Sequence, residues 1–245
     1  MAYAMTGSSG FIGSALSRRL VADGHTVHPI KRHQMGSVES LKEWLEEQGV
    51  NEIFHLAAYG NHANQTDQKE TLRVNVLFTL NLFKASGSRK VYNFSTSSVT
   101  LPTRTLYSIS KMTGEWLSSL FPNVTNIRPY SVYGPGEASH RFIPTVCRCL
   151  KSGERMTLDE SATHDWIFVS DFIDALLNGH TDIGTGEKRN NLQIVQVLEE
   201  ISGKKLNYAP GSLRAYDNSN WVCPSGVDHM SIEEGLLKTW NWYNK

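Results

Sequence analysis

From the N-terminus to Tyr133, short apolar runs alternate with stretches of helical periodicity. No other feature of the chain constrains its fold as tightly. "AYAMTG" reads as a strand. "FIGSALSRRLVADG" then places Phe11, Ile12, Ala15, Leu16 and Leu20 on one helical stripe, with Gly24 as its stop. "HTVHPIK" is a second strand, and "SVESLKEWLEEQG" a helix with Val38, Leu41, Trp44 and Leu45 inward. "EIFHLAA" is a third strand. The run from Glu70 to Ala85 predicts a helix with Leu72, Val76, Leu80 and Phe83 stacked. "KVYNFS" and "VTNIRP" are further strands, separated by a helix from Tyr107 to Leu120. Strands alternating with helices of this length dictate βαβ units, an α/β class and a doubly wound parallel sheet. After Tyr133 the rhythm loosens, "YGPGE" punctuates it, and short mixed elements follow. We therefore expect one domain over 1–133 and a smaller lobe over 134–245, with some segments returning to the first. The last helix, "GLLKTWNWY", is preceded by Ser231 and Glu234 in capping-box spacing.

"TGSSGFIG" sets Gly7, Gly10 and Gly13 at the first strand–helix junction. Glycines there permit a tight turn and close backbone approach, and the amides opening the helix face an anion. With Ser9, Phe11 and Ile12 lining the turn, the junction has the form of a Rossmann-like dinucleotide site. Dinucleotide sites for NAD commonly end the second strand on an acid; here Lys31, Arg32 and His33 stand instead. Cations there suit a 2′-phosphate, which favours NADP over NAD.

Composition narrows the partners. Lys plus Arg equals Asp plus Glu at 24 each, so no broad basic field awaits nucleic acid or an anionic membrane. No apolar run reaches the roughly 18 residues of a membrane span. The N-terminus passes almost directly into a strand, so we expect no signal peptide. Cys147, Cys149 and Cys223 are odd in number and lack metal-ligand spacing. They read as reduced thiols in a cytoplasmic protein that holds no metal.

"LYSISK" places Tyr107 and Lys111 one helical turn apart on the same face. Taken alone, the pair is as consistent with an amphipathic helix as with chemistry. Its context decides. "TGSSGFIG", "HLAA" after a central strand, "NVLFTLNLFKA", "FSTSSV", the Tyr107–Lys111 pair, "IRPYSVYGPG", "HDWIFVSDFIDALL" and "IEEGLLKTWNWY" follow one another in order. Over nearly its whole length the chain thus resembles the extended short-chain dehydrogenase/reductases, in the NAD(P)-dependent epimerase/dehydratase branch that modifies nucleotide sugars.

The resemblance implies that Tyr107 is the general acid/base and that Lys111 holds the nicotinamide ribose and lowers the phenol pKa from near 10. The third member stands three residues before the valine of "STSSV", which is Thr96; Ser95 and Ser97 are near enough to replace it. Leu56, Ala57 and Ala58 line the cofactor, Pro129 follows, and Asn75 is a brace close to it. Ser97, Ser131, Arg141 and His164 are placed toward the nucleotide-sugar substrate, largely in a small C-terminal substrate-binding lobe. Family members commonly form homodimers through a four-helix bundle, here the helices near 70–85 and 107–120. Val74 and Leu82, on a second apolar face, are compatible with that bundle and equally with burial against the sheet.

The chain departs from the family in three places. One helix alone lies between the second strand and "EIFHLAA". Ten residues separate Thr96 from Tyr107, a short covering loop. His164–Asp165 stands where the family commonly has Arg–Asp, and imidazole is no bidentate phosphate clamp. Dehydratases follow the catalytic Thr with Asp–Glu; here Ser97 and Ser98 cannot shuttle a proton at neutral pH. The epimerase/reductases that make GDP-fucose place a cysteine where Ser98 stands. A transient-oxidation epimerase therefore ranks first and an NADPH-dependent keto-sugar reductase second. The reading from another class is a non-catalytic dinucleotide-binding sensor or assembly protein, which usually loses the Tyr or the Lys.

Overall fold

The computed structural model describes residues 1–61, 64–211 and 221–245. These divide into two compact units, Met1–Thr100 with Arg104–Arg128, and Leu101–Thr103 with Pro129–Lys245.

In the first unit, β1 (Ala2–Thr6) leads through α1 (Phe11–Ala22) to β2 (Thr26–Ile30), and α2 (Val38–Glu47) leads to β3 (Glu52–His55). Then come α3 (Gln68–Leu72), α4 (Thr79–Ser86), β4 (Lys90–Phe94), α5 (Leu106–Ser118) and β5 (Val124–Pro129). The strands are parallel and lie in the order β5-β4-β3-β1-β2. The expected strands are all present, and Gly24 ends the first helix at φ +82°. Ala4, Met5, Ile53, Phe54 and Val91 are almost wholly buried, as in a sheet covered on both faces. No strand lies between β2 and β3, so the sheet ends at β2. Pro29 is tolerated there because an edge strand has one side without a ladder partner.

This order reverses at β1. The chain leaves β1 on one side to form β2, then returns to place β3 on the other. In such sheets a ligand crevice opens at the C-terminal ends of the two strands flanking the reversal. The glycine turn follows β1 there, and Leu56-Ala57-Ala58 follows β3.

The helix expected over 70–85 forms, but with a different face inward. Between α3 and α4, Arg73–Phe78 makes a π-turn, whose wider hydrogen-bonding rotates the side chains relative to a straight helix. Thr71, Val74, Asn75, Phe78, Thr79, Leu82 and Phe83 are buried. Of the expected stripe only Phe83 is; Leu72 is 45% exposed and Val76 and Leu80 are half-buried. Of the two readings open for Val74 and Leu82, the structure takes burial: both belong to this unit's own core.

The second unit contains α6 (Phe142–Ser152), α7 (Val169–Leu177), α8 (Asn191–Ser202) and α9 (Ile232–Tyr243). Its short strands are β6 (Ser131–Tyr133), β7 (Met156–Leu158), β8 (Thr163–His164), β9 (Trp166–Phe168), β10 (Asp182–Ile183), β11 (Arg189–Asn190) and β12 (Tyr208–Pro210). β6 pairs with β9, β7 with β12 and β8 with β11. α6 and α8, of 11 and 12 residues, exceed the short elements expected there. Asp165 organises the centre: its carboxylate accepts from Thr185 N–H (2.7 Å), Thr185 O–H (2.7 Å), Gly186 N–H (2.9 Å) and Cys223 N–H (3.0 Å). α9 crosses Tyr133 so closely that a Cβ on Gly235 would lie 2.1 Å from the phenol oxygen. Half of the expected capping box forms at α9. Ser231 accepts from Glu234 N–H (3.2 Å), whereas the Glu234 carboxylate pairs with Lys238 (2.8 Å).

The three cysteines are free and buried. Among the described residues no helix is long and apolar enough to cross a membrane, and no group of three His, Cys, Asp or Glu side chains is placed to hold a metal.

Candidate active site

The glycine turn closes on itself and on the loop after β3. Gly7 has φ +68°, and a Cβ on it would sit 2.9 Å from Ala57 N, so neither its conformation nor its neighbour admits a side chain. A Cβ on Gly13 would lie 2.2 Å from Gly7 O, which lets the first turn of α1 settle against the loop. Gly10 is the N-cap of α1 and supplies no side-chain cap; the first turn carries no acid. Ser9 and Gly10 are exposed and Phe11 and Ile12 half-buried beside them. The N–H groups of such a helix end have no side-chain partner and can donate to an anion.

Lys31 and Arg32 stand exposed just beyond β2. Lys31 N–H is capped by Gln34 (2.7 Å), which begins a 3₁₀ turn over Arg32–Gly36. Arg32 pairs with Glu70 (3.1 Å), which also holds Arg73 (2.7 Å). The Arg73 guanidinium, more than Arg32, keeps the Glu70 carboxyl below its ordinary range.

α5 carries Tyr107 in its first turn and Lys111 one turn on. Thr105 and Ser108 form a reciprocal capping box: Ser108 N–H donates to Thr105 Oγ1 (3.1 Å), and Thr105 N–H to Ser108 Oγ (2.9 Å). A second clamp comes from Asn75. Its amide nitrogen donates to Ser110 Oγ (2.9 Å) and to Tyr59 O (2.8 Å), while its oxygen accepts from Tyr59 N–H (2.9 Å). Asn75 is therefore a brace joining the loop after β3 to the helix that carries Tyr107. The Tyr107 ring lies near Gly60, where a Cβ would approach its Cδ2 to 3.8 Å. α5 also packs on the Ser97–Thr100 turn.

Thr96 precedes that turn. Its hydroxyl lies 3.1 Å from Ser98 Oγ and accepts from Ser98 N–H (3.2 Å), and its side chain is half-buried. Ser95 and Ser97 are buried, and among the described residues their hydroxyls have no hydrogen-bond partner.

Lys111 is 3% exposed and forms neither an ion pair nor a hydrogen bond within the described residues. Burial pushes its pKa down from 10.5 to about 8, opposed in part by Glu115 one turn on. Glu115 is itself held in a bidentate pair with Arg128 (2.9 and 2.6 Å). The uncapped helix, the close-packed glycines and this unpaired ammonium fit a dinucleotide's phosphates and ribose.

The sites expected in the second unit lie on separate elements. Ser131, on β6, donates its N–H to Asp165 O (2.9 Å). Arg141 stands at the N-cap position of α6 without a side-chain cap, its guanidinium 3.9 Å from the Glu137 carboxylate, and burial raises Glu137 to about 8. His164, on β8, is buried against the rings of Trp166 (5.0 Å) and Trp221 (5.5 Å). Pro129 ends β5.

His55, Thr6 and Thr79 were not singled out from sequence, yet all are buried polar groups hydrogen-bonded between the glycine turn and α4. The one signal for them was a histidine inside the otherwise apolar run "EIFHLAA".

Comparison with known proteins gives a consistent result. The family model described as "NAD dependent epimerase/dehydratase family" matches residues 3–194. The chain is 28% identical to a UDP-glucose 4-epimerase of Mycolicibacterium smegmatis, over 90% of this chain and 85% of that protein. Among solved structures, MoeE5 in complex with UDP-glucuronic acid and NAD is similar at a TM-score of 0.83 and 25% identity, covering 100% of this chain and 99% of that one. RMD from Pseudomonas aeruginosa, complexed with NADPH, shares the fold at a TM-score of 0.80 and 22% identity, over 99% and 98% of the two chains.

The buried ammonium has a measurable cost. Between pH 8 and 10.5 the unfolded chain binds the Lys111 proton and the folded chain does not, so stability rises with pH across that window. Below it the folded state carries the full penalty. Replacing Lys111 by Met in dinucleotide-free protein should raise Tm at pH 7 by about 4 °C or more, the advantage fading between pH 8 and 10.5. Thermal scans that show a lower Tm at pH 7 would mean that the ammonium is stabilised in the fold.

Proposed function

We propose that this chain, which belongs to the NAD dependent epimerase/dehydratase family, is a nucleotide-sugar epimerase working by transient hydride transfer. The observation that carries this reading is the unpaired, buried Lys111 ammonium one turn from Tyr107, on a helix braced to the loop beside the glycine turn. A buried charge with no partner is unfavourable for folding, and its retention points to chemistry.

Gly7, Gly10, Gly13, Ser9, Phe11 and Ile12 would hold the dinucleotide's phosphates, Leu56, Ala57 and Ala58 would line it, and Lys111 would hold its ribose. When bound, the nicotinamide supplies the hydride acceptor and donor. Tyr107 takes the proton from a sugar hydroxyl and returns it. The Lys111 ammonium stabilises the phenolate, and the Thr96 hydroxyl donates to the same sugar oxygen. Thr96 suits this role better than Ser97, whose hydroxyl is enclosed by protein. Ser131, Arg141 and His164 are assigned to the substrate on resemblance. The UDP sugar bound to MoeE5 and the UDP-glucose epimerase relative support a nucleotide sugar.

The runner-up, an NADPH-dependent keto-sugar reductase, draws on Lys31 and Arg32, which favour a 2′-phosphate. We also propose a homodimer. Trp116 (66% exposed), Leu120 (71%), Ile109, Leu72 and Leu77 expose apolar surface on α5, just beyond its end, and on the α3–α4 segment packed beside it.

Four measurements test these points. Tyr107→Phe should lower turnover by about 10²–10⁴-fold and leave cofactor binding intact. Mass analysis of denatured wild-type protein should find oxidised dinucleotide in near-equal amount; empty protein that consumes NADPH with keto sugars supports the reductase instead. Arg32→Ala should weaken NADPH binding about 10-fold and NADH binding less than about 2-fold, and an equal loss for both would remove the case for NADP. Trp116→Glu should sediment as a monomer where wild type sediments as a dimer; identical sedimentation of the two defeats the proposed interface.

A further inference from the structure

His55 lies at the end of β3, buried, between two threonine hydroxyls: Thr6 Oγ1 at 2.8 Å from Nδ1 and Thr79 Oγ1 at 2.9 Å from Nε2. The protons of this cluster can be assigned by counting donors. Ala57 N–H donates to Thr6 Oγ1 (3.0 Å), so Thr6 already accepts, and its own proton goes to His55 Nδ1. At the other end, Thr79 O–H donates to Asn75 O (2.9 Å), so Thr79 is left to accept from His55 Nε2–H. The reverse tautomer would leave the Thr6 proton without an acceptor and take the Thr79 proton from the Asn75 carbonyl. This bond count assigns His55 the neutral Nε2–H form.

The chain of bonds continues in both directions. Thr6 is the residue before Gly7, and Ala57 the residue whose backbone Gly7 approaches. Asn75 holds Tyr59 and donates to Ser110 Oγ, whose own proton goes to Tyr107 O (2.8 Å). One hydrogen-bonded path thus runs from the foot of the glycine turn to the carbonyl of Tyr107.

We propose that His55 is a positioning residue which, as its Nε2–H tautomer, ties the cofactor turn on one side to the helix carrying Tyr107 and Lys111 on the other. An imidazole suits the task because it offers one acceptor and one donor on opposite sides of a rigid ring. Burial holds its pKa at about 3, with the Lys111 charge adding to the shift, so the tautomer persists across the working range. The proposal rests on the reading that a dinucleotide binds at this turn.

The path can be cut on either side of the ring. Thr6→Val removes the cofactor-side hydroxyl and Thr79→Val the catalytic-side hydroxyl, at nearly constant shape. Two readouts need no sugar: dinucleotide Kd, and the ionisation midpoint of Tyr107, taken as the ultraviolet difference between each protein and its Tyr107→Phe form. Thr6→Val should weaken Kd about 5- to 10-fold and leave the Tyr107 midpoint in place. Thr79→Val should leave Kd within about 2-fold and raise the midpoint by about half a pH unit or more. Nitrogen-15 NMR of wild type should show a protonated Nε2 and a bare Nδ1 from about pH 5 to 8. Both variants altering Kd and midpoint together, in step with Tm, would reduce His55 to core packing. An Nδ1–H form or an imidazolium at neutral pH would likewise overturn the proposal. Wild type that binds no NAD(H) or NADP(H) would defeat the functional reading instead, and the NMR result would still judge the tautomer.

Discussion

The first unit depends on a backbone-to-backbone approach at the point where its strand order reverses. Gly7 and Ala57 come so near that a single Cβ would collide with a peptide nitrogen. Because the turn is that tight, α1 begins at once and its first amides stay without a side-chain cap. The loop after β3 is fixed beside them, through Thr6 on one side and Asn75 on the other. Asn75 in turn sets α5, so the uncapped end of α1 and the Tyr107 helix share one frame. A looser junction would leave a helix end and a tyrosine with no fixed relation.

Two buried charges are handled in opposite ways. Asp165 accepts four hydrogen bonds, from three backbone amides and one hydroxyl, and is as well solvated by protein as by water. Its work is to hold together the segments around 165, 185 and 223. Lys111 receives no such compensation, and its depressed pKa records the imbalance. A carboxylate that is fully satisfied explains itself by stability, whereas an ammonium that is not calls for a ligand.

The parallel sheet and the glycine turn were legible because both are written in local patterns. Short apolar runs and a Gly7–Gly10–Gly13 spacing need no partner to be recognised. The Tyr107–Lys111 pair was visible for the same reason, being one helical turn. The buried face of the 70–85 helix was not readable because the segment carries two apolar stripes of the same period, Leu72–Val76–Leu80 and Val74–Phe78–Leu82, and local periodicity cannot choose between them. Val74, Phe78 and Leu82, which recur at ordinary helical spacing, form the stripe that is buried. At α9, the capping-box spacing was present, but Lys238 competed successfully for the Glu234 carboxylate. The lengths of α6 and α8 were hidden among the Gly- and Pro-punctuated stretches of the second unit.

By itself, then, the amino-acid order determined the α/β class, the strand positions, the glycine-lined turn and the spacing of Tyr107 and Lys111 one helical turn apart, since each is encoded within a few consecutive residues. The tertiary structure decided which polar groups meet. His55 finds Thr6 across 49 residues and Thr79 across 24, and Asn75 finds Ser110 across 35. Hydrogen bonds of that kind depend on which strands lie side by side and how a helix is rotated, and those are properties of the packed sheet and its helices that no short stretch of sequence carries.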